Sequence, residues 1–142
     1  MTMEFDIKHP DLPFQAWRKT GYSQFGEEGI IETLLQKMQI EKGYFVEFGA
    51  WDGKHFSNCA HLVEKGWAGC FIEGDKSRFD DLESMLAAND KVCAINAFIA
   101  TKGRDRLDNL LKSCGAPKRP DVMSIDVDGI DFHIWKSLQD FE

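Results

Sequence analysis

GYFVEFGAWDGKHFSN, residues 43–58, decides the fold. Tyr44–Phe48 is a short apolar run of the length and β-rich composition of a buried strand. It breaks at Gly49, turns again at Asp52-Gly53, and returns to helix-like sequence near Ser57. A continuous apolar strand followed at once by a glycine-rich turn and a helix is the opening of a βαβ unit.

Working outward, the same alternation continues. Upstream, Ser23 reads as a helix N-cap with Glu27 and Glu28 in the first turns, where acids suit the helix dipole. Ile30, Ile31, Leu34, Leu35 and Met38 then follow at helical spacing up to Gly43. Downstream, the pattern predicts a helix over 57–65, a strand over 68–72, a helix over 77–88 and a strand over 92–96. A helix over 104–113, a strand over 122–127 and a helix over 131–139 complete it. Short apolar strands separated by amphipathic helices imply a parallel sheet covered on both faces. The expected class is α/β: a Rossmann-like, doubly wound parallel sheet in the order 3-2-1-4. Residues 1–20, with Pro10 and Pro13 and no clear period, read as an N-terminal arm packed over a domain spanning 21–142.

Composition narrows the function classes. The 142 residues suit one domain, and 43% hydrophobic with 29% charged is ordinary for a globular chain. No apolar run approaches the roughly 20 residues that span a bilayer, and no secretory signal opens the chain. A cytoplasmic protein without membrane contact is expected. The net charge of −7 leaves no basic face to follow a phosphate backbone, so nucleic acid is not an expected partner. Four cysteines, at 59, 70, 93 and 114, show no CxxC pair and no Cys/His spacing typical of a metal site. They read as core thiols.

In open parallel sheets, ligands bind at the carboxyl ends of the strands where the strand order reverses. The first strand therefore delivers Gly49-Ala50-Trp51-Asp52-Gly53 to a binding edge, where glycine lets the backbone turn and approach a ligand closely. The second strand ends at Glu73, 24 residues after Gly49. An acid at that tip can accept both hydroxyl hydrogens of a ribose. GAWDG is not GxGxxG and offers fewer amides to a pyrophosphate. A nucleoside without a bridging diphosphate fits better, and S-adenosyl-L-methionine is the candidate cofactor.

Four linked stretches then carry a resemblance: YSQFGEE from Tyr22, FVEFGAWDG with Ser57-Asn58, GWAGCFIEGD from Gly66, and MSIDVDG from Met123. Together, from about Tyr22 to Leu138, they resemble the FkbM-like class I methyltransferases. The resemblance implies that Glu47, Gly49, Ala50, Asp52 and Gly53 border the methionine part of the cofactor. Ser57 and Asn58 would open the next helix at that site, Glu73 would hold the ribose, and Asn96 and Ala97 would lie near the adenine. Asp126 and Asp128 would face the transferring methyl and the acceptor, with Gln24 and Glu27 reaching in from the preceding helix. Asn96 stands where the family usually has an acid. The family's sheet normally continues beyond the helix that starts near Asp131, so a C-terminally short form of the fold is expected here.

Methyl transfer to a hydroxyl gains from a general base, and Asp126 or Asp128 is the candidate. Their i, i+2 spacing on an extended segment would place both on one side, where each carboxylate raises the other's pKa. The bland alternatives are loop ordering by Asp126 and a simple Asp128-Gly129 turn, and a divalent cation between the acids is a third. The expected function is S-adenosylmethionine-dependent O-methylation of a small molecule, such as a carbohydrate. The alternative is a non-catalytic nucleoside-binding or protein-interaction module of the same fold. A bare fourth-strand edge beside Trp135 and Leu138 further predicts a homodimer.

Overall fold

The structure, a computed structural model, describes residues 14–142. Most of the expected arm over 1–20 lies outside the described residues; Gln15–Trp17 within it forms one 3-10 turn. Four strands, β1 (Tyr44–Phe48), β2 (Ala68–Glu73), β3 (Val92–Asn96) and β4 (Val122–Ile125), form one sheet in the order β3-β2-β1-β4. Every pairing is parallel. Between and around them run α1 (Glu27–Lys37), α2 (Ala60–Glu64), α3 (Lys76–Met85), α4 (Leu107–Ser113) and α5 (Asp131–Ser137).

The two-residue period of the strands divides the core in two. On one face, Phe45 and Phe71 pack with Leu35 of α1, Leu62 of α2, and Phe79 and Leu82 of α3. On the other, Val46, Phe48, Cys70 and Ile72 pack with Leu107, Leu110 and Leu111 of α4 and Ile134 of α5. With helices on both faces, β1 is buried from Phe45 to Phe48, which is why its sequence is a continuous apolar run broken only by Glu47. The architecture is therefore an α/β, doubly wound, Rossmann-like sheet.

Element boundaries depart from the sequence pattern where side chains capture the backbone first. Ser23 is not the N-cap of α1, which starts after Gly26 at φ +88°. Ser23 Oγ still accepts the Glu28 N–H at 3.3 Å, and the Glu28 carboxylate accepts the Tyr22 and Ser23 amides at 2.8 and 3.1 Å. This is the reciprocity of a capping box at longer spacing. Residues 104–106 stay out of α4 because Ala100 donates to the Asp105 carbonyl at 2.9 Å, holding them in a turn. The sheet part of β4 ends at Ile125, not Val127. Beyond it the Asp131 carboxylate accepts the Val127 and Gly129 amides at 2.7 and 3.1 Å, drawing the chain into a loop.

Candidate functional site

From β1 the chain steps outward to β2 and β3, then returns to lay β4 on β1's other side. The strand order reverses between β1 and β4, so their carboxyl ends flank the crevice in which such sheets bind ligands. Gly49 sits there at φ +70°, and a Cβ on it would run into the Asp126 carbonyl oxygen. The two strand ends approach as closely as they do because position 49 has no side chain.

Beside this contact lies a cavity of about 330 Å³ lined by the tips of all four strands. Its wall includes Gly49 from β1, Glu73 and Gly74 from β2, Ala97 and Phe98 from β3, and Asp126, Val127 and Asp128 from β4. Of the residues expected at the site, Gly49, Glu73, Ala97, Asp126 and Asp128 are thus brought together. A larger cavity, about 620 Å³ between Leu35, Glu41, Leu62 and Trp67, lies toward the amino ends of the strands. Parallel sheets do not place their ligands at that end.

The other expected residues lie outside the lining and build its frame. Glu47 is buried, and its carboxylate accepts the Ser57 hydroxyl at 2.6 Å and the Asn58 and Cys59 amides at 2.7 and 3.3 Å. Burial pushes the Glu47 carboxyl up despite these bonds, with Asp126 adding to the rise. Ser57 Oγ in turn accepts the Cys59 and Ala60 amides at 3.2 and 2.9 Å, so it caps α2, which begins at Ala60 instead of Ser57. Asn58 Nδ2 donates to Ser124 Oγ at 3.0 Å and ties this start to β4. Asp52 accepts the Lys54 and His55 amides at 3.0 and 2.8 Å and pairs with the His55 ring. Burial works to raise its pKa, but these contacts together hold it below the usual value.

Ala50 is buried, its amide donating to the Ile72 carbonyl at 3.2 Å, and it accepts the Gly53 amide at 2.8 Å. Asn96 Nδ2 donates to the Glu73 and Gly74 carbonyls at 2.8 and 3.2 Å, which fixes the β2–α3 turn. Gln24 is exposed at the start of the α1 approach. Glu27 accepts the Phe25 amide at 2.8 Å, yet lies close enough for its charge to reach Asp126.

Three carboxylates stand in the lining: Glu73, Asp126 and Asp128. Glu73 is 6% exposed; Oε2 accepts the Trp51 amide at 2.7 Å and Oε1 the Asp75 amide at 2.8 Å. Each oxygen has capacity for a second donor. Asp126 has its pKa raised, by partial burial against the strand ends and then by the charges of Asp128, Asp131 and Glu27. The side chains do not share an extended segment as expected: Asp128 has φ +56° in the loop that Asp131 ties down. Loop ordering, which the sequence suggested for Asp126, belongs to Asp131.

Sequence reasoning missed three residues here. Arg78, in the first turn of α3, lines the cavity and stacks its guanidinium 4.2 Å from the Trp51 ring centroid. No local spacing signals that contact. Phe98 is 76% exposed and lies against Gly74, where a Cβ would meet its ring. An aromatic two residues past a strand tip was the readable signal for it. Asp131 was readable as a first-turn helix acid and nothing more. Set beside known proteins, the chain matches no protein-family model and no curated protein sequence.

Proposed function

We propose that the chain is an S-adenosyl-L-methionine-dependent methyltransferase that binds the cofactor across the carboxyl ends of β1, β2 and β4 and methylates a hydroxyl of a small molecule. The observation that carries this reading is the β1/β4 crevice, where Gly49 meets the Asp126 carbonyl beside a cavity holding Glu73, Asp126 and Asp128. The volume lies within the range of small-molecule sites, about 300–1,000 Å³. The charges fit as well. Three carboxylates and a single guanidinium line the cavity, a set that repels a pyrophosphate and suits a cationic sulfonium with an ammonium group. Glu73 accepts from the ribose hydroxyls, and Phe98 with Gly74 offers an apolar shelf for the base. Bound there, the cofactor supplies an electrophilic methyl group. Asp126, its pKa raised by partial burial and by the neighbouring acids, would take the proton of an acceptor hydroxyl.

Calorimetry with S-adenosylmethionine, its demethylated product and NAD in parallel tests the assignment. The first two are expected to bind and NAD is not. Glu73→Gln keeps the shape but removes the charge and replaces one acceptor oxygen with a donor, and should weaken cofactor binding by about 1.5–3 kcal/mol. NAD binding as tightly as S-adenosylmethionine, or an unchanged dissociation constant in the variant, would remove the reading.

A further inference from the structure

The cysteines, read from their spacing as separate core thiols, are brought together by the fold. Cys70 of β2 and Cys93 of β3 are direct register partners on neighbouring parallel strands, so their side chains leave the same face of the sheet. Cys114, the residue that closes α4, packs on that face. The three Sγ atoms all lie within 4.8 Å of one another. In a trigonal site with metal–sulfur bonds of about 2.3 Å the sulfurs stand about 4.0 Å apart, so closing this triangle takes less than about an ångström.

From this geometry we propose that Cys70, Cys93 and Cys114 form a three-thiolate site for a soft, thiophilic metal ion such as Cu(I) or Zn(II). The thiol triangle selects soft cations over the oxygen-seeking Mg²⁺ and Ca²⁺. It has a buried floor and an open side: Cys70 is fully buried, while Cys93, on the edge strand β3, and Cys114 are partly exposed. The Tyr44 hydroxyl lies 3.6 Å from Cys114 Sγ, and the Cys114 thiol donates to the Leu111 carbonyl at 3.2 Å, a bond it gives up on losing its proton. The hydroxyl is an outer donor of the kind that orients and holds a metal-bound thiolate. Binding releases the thiol protons to solvent as metal–sulfur bonds replace S–H bonds, with no change of oxidation state. The site lies on the α4 side of the sheet, whereas Cys59 is buried in the core of the opposite face.

The reduced full chain, titrated anaerobically with Cd(II) in weak buffer, tests this. A single equivalent should bind with a thiolate-to-metal charge-transfer band and proton release, and Zn(II) should compete. Cys93→Ser and Cys114→Ser, at partly exposed positions, should each lose at least about 100-fold in affinity. Cys59→Ser should lose none. Alkylation mapped by mass spectrometry on the unmutated chain gives a second reading: metal should protect Cys93 and Cys114. No uptake, uptake retained in both serine variants, or unprotected Cys93 and Cys114 would each overturn the proposal.

Discussion

Gly49 carries more of the site's geometry than any charged residue. Its φ of +70° is costly for an L side chain, by about 1–2 kcal/mol. A Cβ there also meets backbone, the Asp126 carbonyl, which cannot swing aside as a side chain can. Gly49→Ala should therefore cost about 2–4 kcal/mol by denaturant titration, the conformational term plus overpacking. Gly115 is the matched control: φ +69° with nothing near its missing Cβ, so Gly115→Ala should show the conformational term alone. Equal losses in the two variants would mean that the β1/β4 contact is not tight. At Glu47, burial raises the folded pKa, so the unfolded chain gives up this proton at lower pH than the folded one. The group's contribution to stability is full below the unfolded value of 4.5 and declines as pH rises through the raised folded value. The difference in melting temperature, wild type minus Glu47→Gln, should fall steadily with pH across that window. Parallel curves would contradict the sign.

Among the elements, the strands were the most legible. Tyr44–Phe48 and Val92–Asn96 run as their apolar stretches indicate: β1 is buried along nearly its whole length as a central parallel strand, and the edge strand β3 is half-buried over most of its residues. Helix starts were less even: α5 begins at Asp131 as expected, but α2 begins three residues late, since Glu47, a side chain ten or more residues upstream, holds the amides before it. The link between α4 and the segment after α5 left no local mark at all. Asp108, 2% exposed, takes Arg106 Nη2 at 2.6 Å and the Gln139 and Asp140 amides at 3.1 and 3.0 Å. Arg106 Nη2 also donates to the Ser137 carbonyl at 2.9 Å. In sequence this is only an Arg and an Asp two apart. Breaking a buried pair from one side costs about 3–5 kcal/mol, and the partly exposed arginine reduces that to about 2–4 for Asp108→Asn. Hydrogen exchange should speed at the Gln139 and Asp140 amides in that variant. Unchanged protection there would show that Asp108 does not anchor the segment.

For the whole molecule, the open question is what meets the β4 edge. Parallel βαβ logic made the layered sheet readable, because each crossover helix must cover one face. The cavity was only half readable: strand tips identify Gly49, Glu73 and Asp126 and point to Phe98, but Arg78 arrives from the first turn of α3 by packing on Trp51, which no local spacing marks. Interfaces are less readable still. Among the described residues β4 pairs with β1 alone, so its other edge carries unpaired backbone groups. No described helix is long and apolar enough to cross a membrane. The helix that follows β4, α5, leaves Phe132 60% and Trp135 64% exposed, with their rings 6.5 Å apart in an edge-on contact. Ile130, just before that helix, is 45% exposed. A two-fold axis can use both features: two β4 edges can pair antiparallel, and two α5 faces can pack together. We propose a homodimer of this form. Natural edges are otherwise blunted by charge, proline or cover, and β4 carries neither a charge nor a proline between Val122 and Ile125. Light scattering across a dilution series should give twice the chain mass, returning to the monomer on dilution, and Trp135→Asp should shift the equilibrium to monomer throughout. A wild-type chain that stays monomeric at high micromolar concentration would rule the dimer out. Dimerisation that survives both Trp135→Asp and a proline at Met123 would move the interface elsewhere.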